Sequence, residues 1–390
     1  MTPTQPLLPA TPQLAGRDMF ALYDSKRDHT IKSFRSACYA PFLTLDFFTT
    51  GQVQVCCEND SFPVGNVQTD ALIEIWRGPA IQRLRDALMR YDFSLGCQGC
   101  EWTIQRGGRP FAMNYDTHPV ETLTAWPRVM QFRLSNVCNF ACIMCSGLLS
   151  STIRRDREHQ PPLPRMYTDR FFHELWEFLP HLDSAVFAGG EPLLTQENFR
   201  IWDHLLETRN ERTCISITSN ASVWSERLSE YFQRLNIAHV TASMDGATKE
   251  TFERVRIGSS FETVTANLRR IAEATSQIRP RGRFGTRAAQ FSFSYCLMPV
   301  NAHEMPDVFL MAEDFGADVF VNVVTTPKEC SFLGVQPIET EQAAQHLQQA
   351  YDRLQPRLSP LNQTRYLEAL GVLRTMAEGE LQELSHASRV

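Results

Sequence analysis

The chain has 390 residues, 43% apolar and 21% charged, which suits a folded protein with one large domain and a smaller one. Its net charge of −6 excludes the strongly basic field expected of a nucleic-acid binder. The first 30 residues hold no basic segment followed by an apolar run, and no window approaches the roughly 18–20 apolar residues that cross a bilayer. A cytoplasmic protein without nucleic-acid or membrane partners is therefore expected. In that reducing setting the eleven cysteines are expected to bind metal rather than form disulfides.

Residues 1–30, rich in Pro and Thr and then polar, read as a flexible arm. The next stretch, 31–104, predicts short strands, a turn and one helix. Phe42–Phe48 and Gln52–Cys56 flank Thr49-Thr50-Gly51, a hairpin signal. Thr69–Leu88 places Leu72, Ile75, Trp76 and Leu84 on one side of a helix. Residues 105–126 carry Gly, Pro and polar residues and predict a linker.

Strand-like runs then recur at Gln131–Ser135, Ala185–Ala188, Cys214–Ser219, His239–Ser243, Gln290–Met298 and Asp318–Val324. Amphipathic helices fall between most of them, at Arg170–Phe178, Gln196–Leu206, Ser225–Leu235, Phe261–Ala274 and Met305–Phe315. This alternation predicts an α/β fold with a parallel sheet and right-handed crossovers. Six units are too few for a closed eight-stranded barrel, so residues 127–326 are expected to form a partial (β/α)6, TIM-like barrel. Residues 327–390 predict a C-terminal helical segment. The run Arg279, Arg281, Arg283, Arg287 reads as a solvated loop on the barrel face away from chemistry.

Directly after the first barrel strand comes Cys138-Asn139-Phe140-Ala141-Cys142-Ile143-Met144-Cys145, at the strand end where parallel α/β proteins build active sites. Three thiolates on one loop can hold three irons of a four-iron cubane and leave the fourth iron open. A structural zinc site would ordinarily want four protein ligands. Phe187-Ala188-Gly189-Gly190-Glu191-Pro192 ends the second strand, and its glycines permit close backbone approach.

On these motifs the chain resembles the radical S-adenosylmethionine superfamily, whose signature is CxxxCxxC after the first barrel strand and a Gly-Gly-Glu-Pro segment after the second. The resemblance implies that Cys138, Cys142 and Cys145 hold a catalytic [4Fe-4S] cluster, and that S-adenosylmethionine chelates its open iron. It implies further that Met144, Gly189, Gly190, Glu191 and Pro192 contact this cofactor, with the Gly-Gly-Glu-Pro segment at its amino group. Thr218-Ser219-Asn220 would lie near the ribose and carboxylate, Ser243-Met244-Asp245-Gly246 would match an S-x-D-G segment, and Arg256 would pair with the carboxylate. Reductive cleavage would release a 5′-deoxyadenosyl radical that abstracts hydrogen from an unactivated carbon, with flavodoxin or ferredoxin as electron donor.

Cys38, Cys56, Cys97 and Cys100 form C-x17-C-x40-C-x2-C, with Cys57 beside Cys56. Together with Gly65-Asn66-Val67 and Leu72-Ile73-Glu74-Ile75-Trp76, they resemble a twitch-type auxiliary-cluster domain, a shortened SPASM domain, implying a second auxiliary [4Fe-4S] cluster. Such domains usually follow the barrel, whereas here the module precedes it. The same four thiolates also suit a zinc ribbon-like site. Cys56 is preferred to Cys57 because Val55 then takes the opposite strand face.

Cys214, Cys296 and Cys330 fall outside both sets and read as small buried hydrophobes. Cys296 has a second reading: alternation puts Ser292, Ser294 and Cys296 on one strand face, from which a thiol could return hydrogen to a substrate radical. Arg154, Arg155 and Arg157 follow the cluster loop and read as a solvated helix face or as contacts for an anionic substrate. Relatives with auxiliary clusters modify ribosomally made peptides, oxidise sugar-like alcohols or rearrange nucleotides. The expected reaction is modification of a peptide or amino-acid residue, with dehydrogenation or rearrangement of a carbohydrate or other small natural-product intermediate as the alternative. The 37 residues before Cys38 are too few for a winged-helix leader-binding module, so a separate recognition protein is a candidate partner. A non-catalytic iron–sulfur scaffold or sensor would have no need of Gly-Gly-Glu-Pro.

Overall fold

The computed structural model describes residues 16–27, 32–120, 125–281 and 290–378. Among the described residues nine strands form one sheet: β1 (Thr44–Phe47), β2 (Gln52–Gln54), β3 (Gly65–Asn66), β4 (Val129–Phe132), β5 (Ser184–Phe187), β6 (Cys214–Ser219), β7 (Ile237–Ser243), β8 (Gln290–Leu297) and β9 (Asp318–Val323). Their spatial order is β3-β2-β1-β4-β5-β6-β7-β8-β9. From β4 to β9 every pairing is parallel, and helices cross over between successive strands. This is the expected partial (β/α)6 barrel.

Alternation along the strands decides what each face does. Met130, Phe132, Phe187, Ile215, Ile217, Val240, Phe293 and Val319 are fully or almost fully buried. On the opposite face Arg133, Ala188, Thr218, Ser243 and Cys296 line a large cavity. The barrel interior is therefore polar where it meets the site, and the apolar core lies outside it. Serine caps set several helix starts: Ser225 accepts from the Leu228 amide and Ser260 from the Thr263 amide.

The cysteine-rich N-terminal segment is not a separate layer. β1 pairs in parallel with β4, so the hairpin extends the barrel sheet. Phe47 stacks on Phe132 at 5.7 Å and Phe132 on Phe187 at 5.1 Å, carrying one aromatic row through β1, β4 and β5. The expected helix Thr69–Leu88 is two helices, Leu72–Arg77 and Pro79–Met89. Pro79 lacks an amide hydrogen and pushes Gly78 into extended backbone (ψ 172°), which ends the first helix.

Two expectations need correcting. Within the expected arm, residues 16–25 form a helix, and Arg27 is buried with Asp116, its Nε 2.9 Å from Oδ2 and Nη2 2.7 Å from Oδ1. Within the expected linker, a helix reaches Gln105, Ala112 lines the four-cysteine cavity, and Val120 pairs with Lys32. Gly and Pro counts missed this, because the segment is ordered by long-range contacts and not by local propensity. Residues 1–15 of the arm and 121–124 of the linker lie outside the described residues. At the N-terminal ends of the strands Arg279 and Arg281 border a separate cleft, as expected; Arg283 and Arg287 lie outside the described residues. Helix Pro360–Ala377 packs on β9, and helix Pro337–Leu354 packs on that helix.

One ion pair joins the hairpin to the barrel. Asp46 on β1 is fully buried, and Arg133, just past β4, donates from Nε at 3.2 Å and Nη2 at 2.5 Å. Gln54 Nε2 adds a bond at 3.4 Å. Removing one partner strands a buried charge, so Asp46→Ala should cost roughly 3 kcal/mol in urea unfolding of the apoprotein. A loss under about 1 kcal/mol would mean that apolar packing alone holds the hairpin.

Candidate active site

The cluster loop is pinned from three directions. The Ala141 amide donates to the Ile257 carbonyl at 2.8 Å and the Ile143 amide to the Val255 carbonyl at 3.0 Å. From the helix Ser151–Asp156, Thr152 Oγ1 donates to the Cys138 carbonyl at 2.7 Å, and the capping Ser150 Oγ donates to Phe140 at 2.6 Å. Arg157 donates to the carbonyls of Cys142 and Cys145. The pairing with Val255 and Ile257 also aims the residue between them: Arg256 Nη1 stands 3.9 Å from Cys142 Sγ.

A cavity of about 1120 Å3 opens over this loop and is lined by Cys138, Cys142 and Cys145. Met144, Gly189, Gly190, Ser219 and Asn220 share its wall, as do Ser243, Arg256 and Cys296. The structure thus brings together most of the residues that the resemblance pointed to. Asn220 Nδ2 lies 3.8 Å from Cys138 Sγ and donates to Asn139 Oδ1 at 3.1 Å.

Three residues expected on the wall sit behind it instead. Glu191 is fully buried, and its carboxylate accepts from the Leu193 amide (3.0 Å), Ser219 Oγ (2.8 Å) and the Asn220 amide (2.7 Å). Burial raises its pKa from the usual carboxylate value, while those donors oppose the rise. It ties the end of β5 to the end of β6. Pro192 is buried at the start of a short helical turn. Asp245, also fully buried, accepts from the Cys296 amide at 2.6 Å and pairs with Arg256 Nη2 at 2.6 Å. Strand-end position alone cannot distinguish a wall residue from its support. The difference is which way the chain turns after the strand.

The sequence reading missed further wall residues. Arg133 and Cys330 line the cavity, Cys330 from the turn after β9. Arg157 lines it too, whereas Arg154 and Arg155 face a neighbouring cleft. A signal existed for Arg133, since it shares a strand face with Gln131. Cys330 had none, because its position depends on how the chain folds back after β9.

The residues present fit the implied groups. Arg256 Nε is buried and has no hydrogen-bond partner among the described residues, which suits an anionic oxygen entering from the cavity. Three thiols on one wall, with no fourth protein ligand on their loop, suit a cluster with one open iron. As free thiols they are held protonated by burial, Cys142 pushed up to about 11 and Cys138 to about 12. Cys296 is raised further by the same cause.

A second cysteine set meets elsewhere. Cys38, Cys56, Cys97 and Cys100 line one small cavity in the N-terminal segment, while Cys57 is exposed outside it. Amides and an amide side chain point at the sulfurs: Ala40 N to Cys38 and Glu58 N to Cys56, each at 3.4 Å, and Asn59 Nδ2 to Cys97 at 3.2 Å. N–H donors aimed at sulfur suit cluster-bound thiolates. Among the described residues, no three Cys, His, Asp or Glu side chains converge closely enough to chelate a single metal ion.

If Glu191 supports the wall and does not touch cofactor, Glu191→Gln should destabilise the apoprotein by about 2 kcal/mol, because one buried acceptor becomes a donor facing N–H groups. Thermal unfolding of the metal-free protein reads this. Unchanged stability combined with lost S-adenosylmethionine binding would show direct contact instead.

Residues 132–279 match the Radical SAM superfamily, and residues 38–101 match SPASM, an iron–sulfur cluster-binding domain. The AdoMet-dependent heme synthase of Methanosarcina barkeri is 21% identical over 201 residues, covering 50% of each protein, so the chain spans about half the length of that curated relative. Among solved structures, the chain is similar to anSMEcpe with bound AdoMet (16% identity, 57% of this chain and 58% of that chain, TM-score 0.40). It is also similar to Streptococcus suis SuiB bound to S-adenosylmethionine (13% identity, 74% and 62%, TM-score 0.41). With the signature loop on the cavity wall, residues 132–279 carry a radical SAM domain, and residues 38–101, ahead of it in the chain, carry a SPASM iron–sulfur cluster-binding domain.

Proposed function

We propose that the enzyme abstracts hydrogen from an unactivated carbon of a peptide or amino-acid residue. The supporting observation is the cavity: at about 1120 Å3 and broadly open to solvent, it exceeds the roughly 300–1,000 Å3 of ordinary small-ligand pockets. That leaves room beside the cofactor for one residue of a long chain whose remainder stays outside.

When bound, the reduced cluster and S-adenosylmethionine supply a carbon radical able to take hydrogen from a C–H bond. The chain's residues do the rest. Cys138, Cys142 and Cys145 hold the catalytic cluster, and Cys38, Cys56, Cys97 and Cys100 hold the auxiliary one. Arg256, oriented by Asp245, offers Nε to the cofactor's carboxylate. Gly189 and Gly190 present backbone carbonyls to its amino group, and Asn220 and Ser243 bound the remaining wall. Cys296 keeps its S–H bond at neutral pH because burial disfavours the thiolate. It can give that hydrogen to a substrate radical: S–H breaks, C–H forms, and the sulfur radical regains an electron and a proton from a reductant. A flavodoxin or ferredoxin in a reducing cytoplasm fits this need, and none of the eleven cysteines is in a disulfide.

The first test is 5′-deoxyadenosine release by anaerobically reconstituted protein with reductant. Wild type should release it and Cys142→Ala should fall to background. If a carbohydrate or other small molecule stimulates release and no peptide does, the peptide reading is wrong. For Cys296, the product formed in D2O should carry deuterium at the reacting carbon, and Cys296→Ala should abolish that label. An unchanged product and stereochemistry in Cys296→Ala removes the residue from the reaction.

A further inference from the structure

A second cavity, of about 420 Å3, lies back to back with the active site. The partition between them is a single stretch of chain: Arg133 and Cys138 face the active-site cavity, and Leu134 to Val137 face the other. Three elements complete the second cavity: the β1–β2 turn at Thr49, the helix after the cluster loop, and the proline-rich stretch 160–167. It therefore lies in the seam between the auxiliary-cluster segment and the barrel.

Its chemistry is mixed in a specific way. The walls are apolar, with Val137 exposed and Leu163 and Met166 half-buried. Cations stand over them. Arg154 has no acidic partner among the described residues, its Nε being bound to the Pro161 carbonyl. Arg165 is 68% exposed and only loosely paired, 3.6 Å from Glu197, a carboxylate in the same wall. Arg155 is spoken for by Asp156. Thr49 is 2% exposed, and its hydroxyl has no hydrogen-bond partner among the described residues. A buried hydroxyl left unpaired costs about 1–3 kcal/mol, so a polar group supplied from the cavity would be favoured. In a chain of net charge −6, apolar walls beneath under-neutralised arginines select for carboxylates on an otherwise apolar ligand.

We propose that this cavity binds a carboxylate-bearing, otherwise apolar segment of the peptide whose modified residue enters the active-site cavity. The inference rests on the peptide reading above.

The test measures binding rather than turnover. Fluorescence anisotropy of the full-length, cluster-loaded protein is recorded with two fluorescein-labelled nonapeptides, one alternating Leu with Glu and one alternating Leu with Lys. The acidic peptide should bind saturably and about tenfold more tightly than the basic one. Arg154→Glu/Arg165→Glu should weaken the acidic peptide by about tenfold and strengthen the basic one, with iron content unchanged. Leu163→Ser should weaken the acidic peptide without altering the charge preference. If the double variant loses iron, the exposed Arg165→Glu alone carries the comparison. Equal binding of both peptides, no binding of either, or no response to charge reversal overturns the proposal. Peptides that still stimulate 5′-deoxyadenosine release in the last case would leave the peptide reading standing, whereas no peptide binding and no stimulation would remove both.

Discussion

A Cβ at position 190 would lie 2.4 Å from the Val137 carbonyl oxygen and 2.8 Å from the Asn136 carbonyl carbon, and the rest of the site depends on that closeness. The Gly190 amide donates to Ser135 at 3.1 Å and the Glu191 amide to Val137 at 2.7 Å, so the segment after β5 lies flat against the stem of the cluster loop. Gly189, at φ +109°, makes the turn that brings it there. The glycines thus serve approach between two pieces of backbone as much as approach to a ligand. Cys138 follows directly on the stem they hold. Glu191 follows the glycines, and its carboxylate carries the constraint on to Ser219 and Asn220 at the next strand.

The same logic repeats on the far side. Val255 and Ile257 hydrogen-bond the loop from opposite its stem, so Arg256 is aimed by backbone pairing before any side-chain contact is made. Asp245 then fixes the guanidinium and, through the Cys296 amide, ties β8 to the same support. Buried charges are costly unless paired and hydrogen-bonded. Here each is: Glu191 by three donors, Asp245 by Arg256 and an amide, Asp46 by Arg133 and Gln54. They form a rigid backing that orients the wall without occupying the cavity.

Placing the auxiliary-cluster segment first in the chain has a structural consequence. By pairing β1 with β4, it extends the barrel sheet at its first strand, the edge away from the helix Pro360–Ala377 that packs on β9. Asp46 links it to Arg133 on the active-site wall, so the hairpin beside the second cysteine set and the strand that leads into the cluster loop are adjacent and parallel. The seam between them is where the second cavity opens.

Much of this was legible in the residue order. Strand-like runs alternating with amphipathic helices located all six barrel strands, Cys214–Ser219 to the residue, because that alternation is written in short stretches of local sequence. CxxxCxxC and Gly-Gly-Glu-Pro are local enough to be read directly, since their ligand spacing and backbone freedom are set within a few residues. What tertiary structure alone decided is direction and closure. It turned Glu191 and Asp245 inward, brought Cys330 to the wall, drew residues 16–27 and 105–120 onto the cysteine module, and merged that module's hairpin with the barrel sheet. Each of these depends on contacts between residues far apart in sequence, and a periodicity or motif holds no information about a partner it has not yet met.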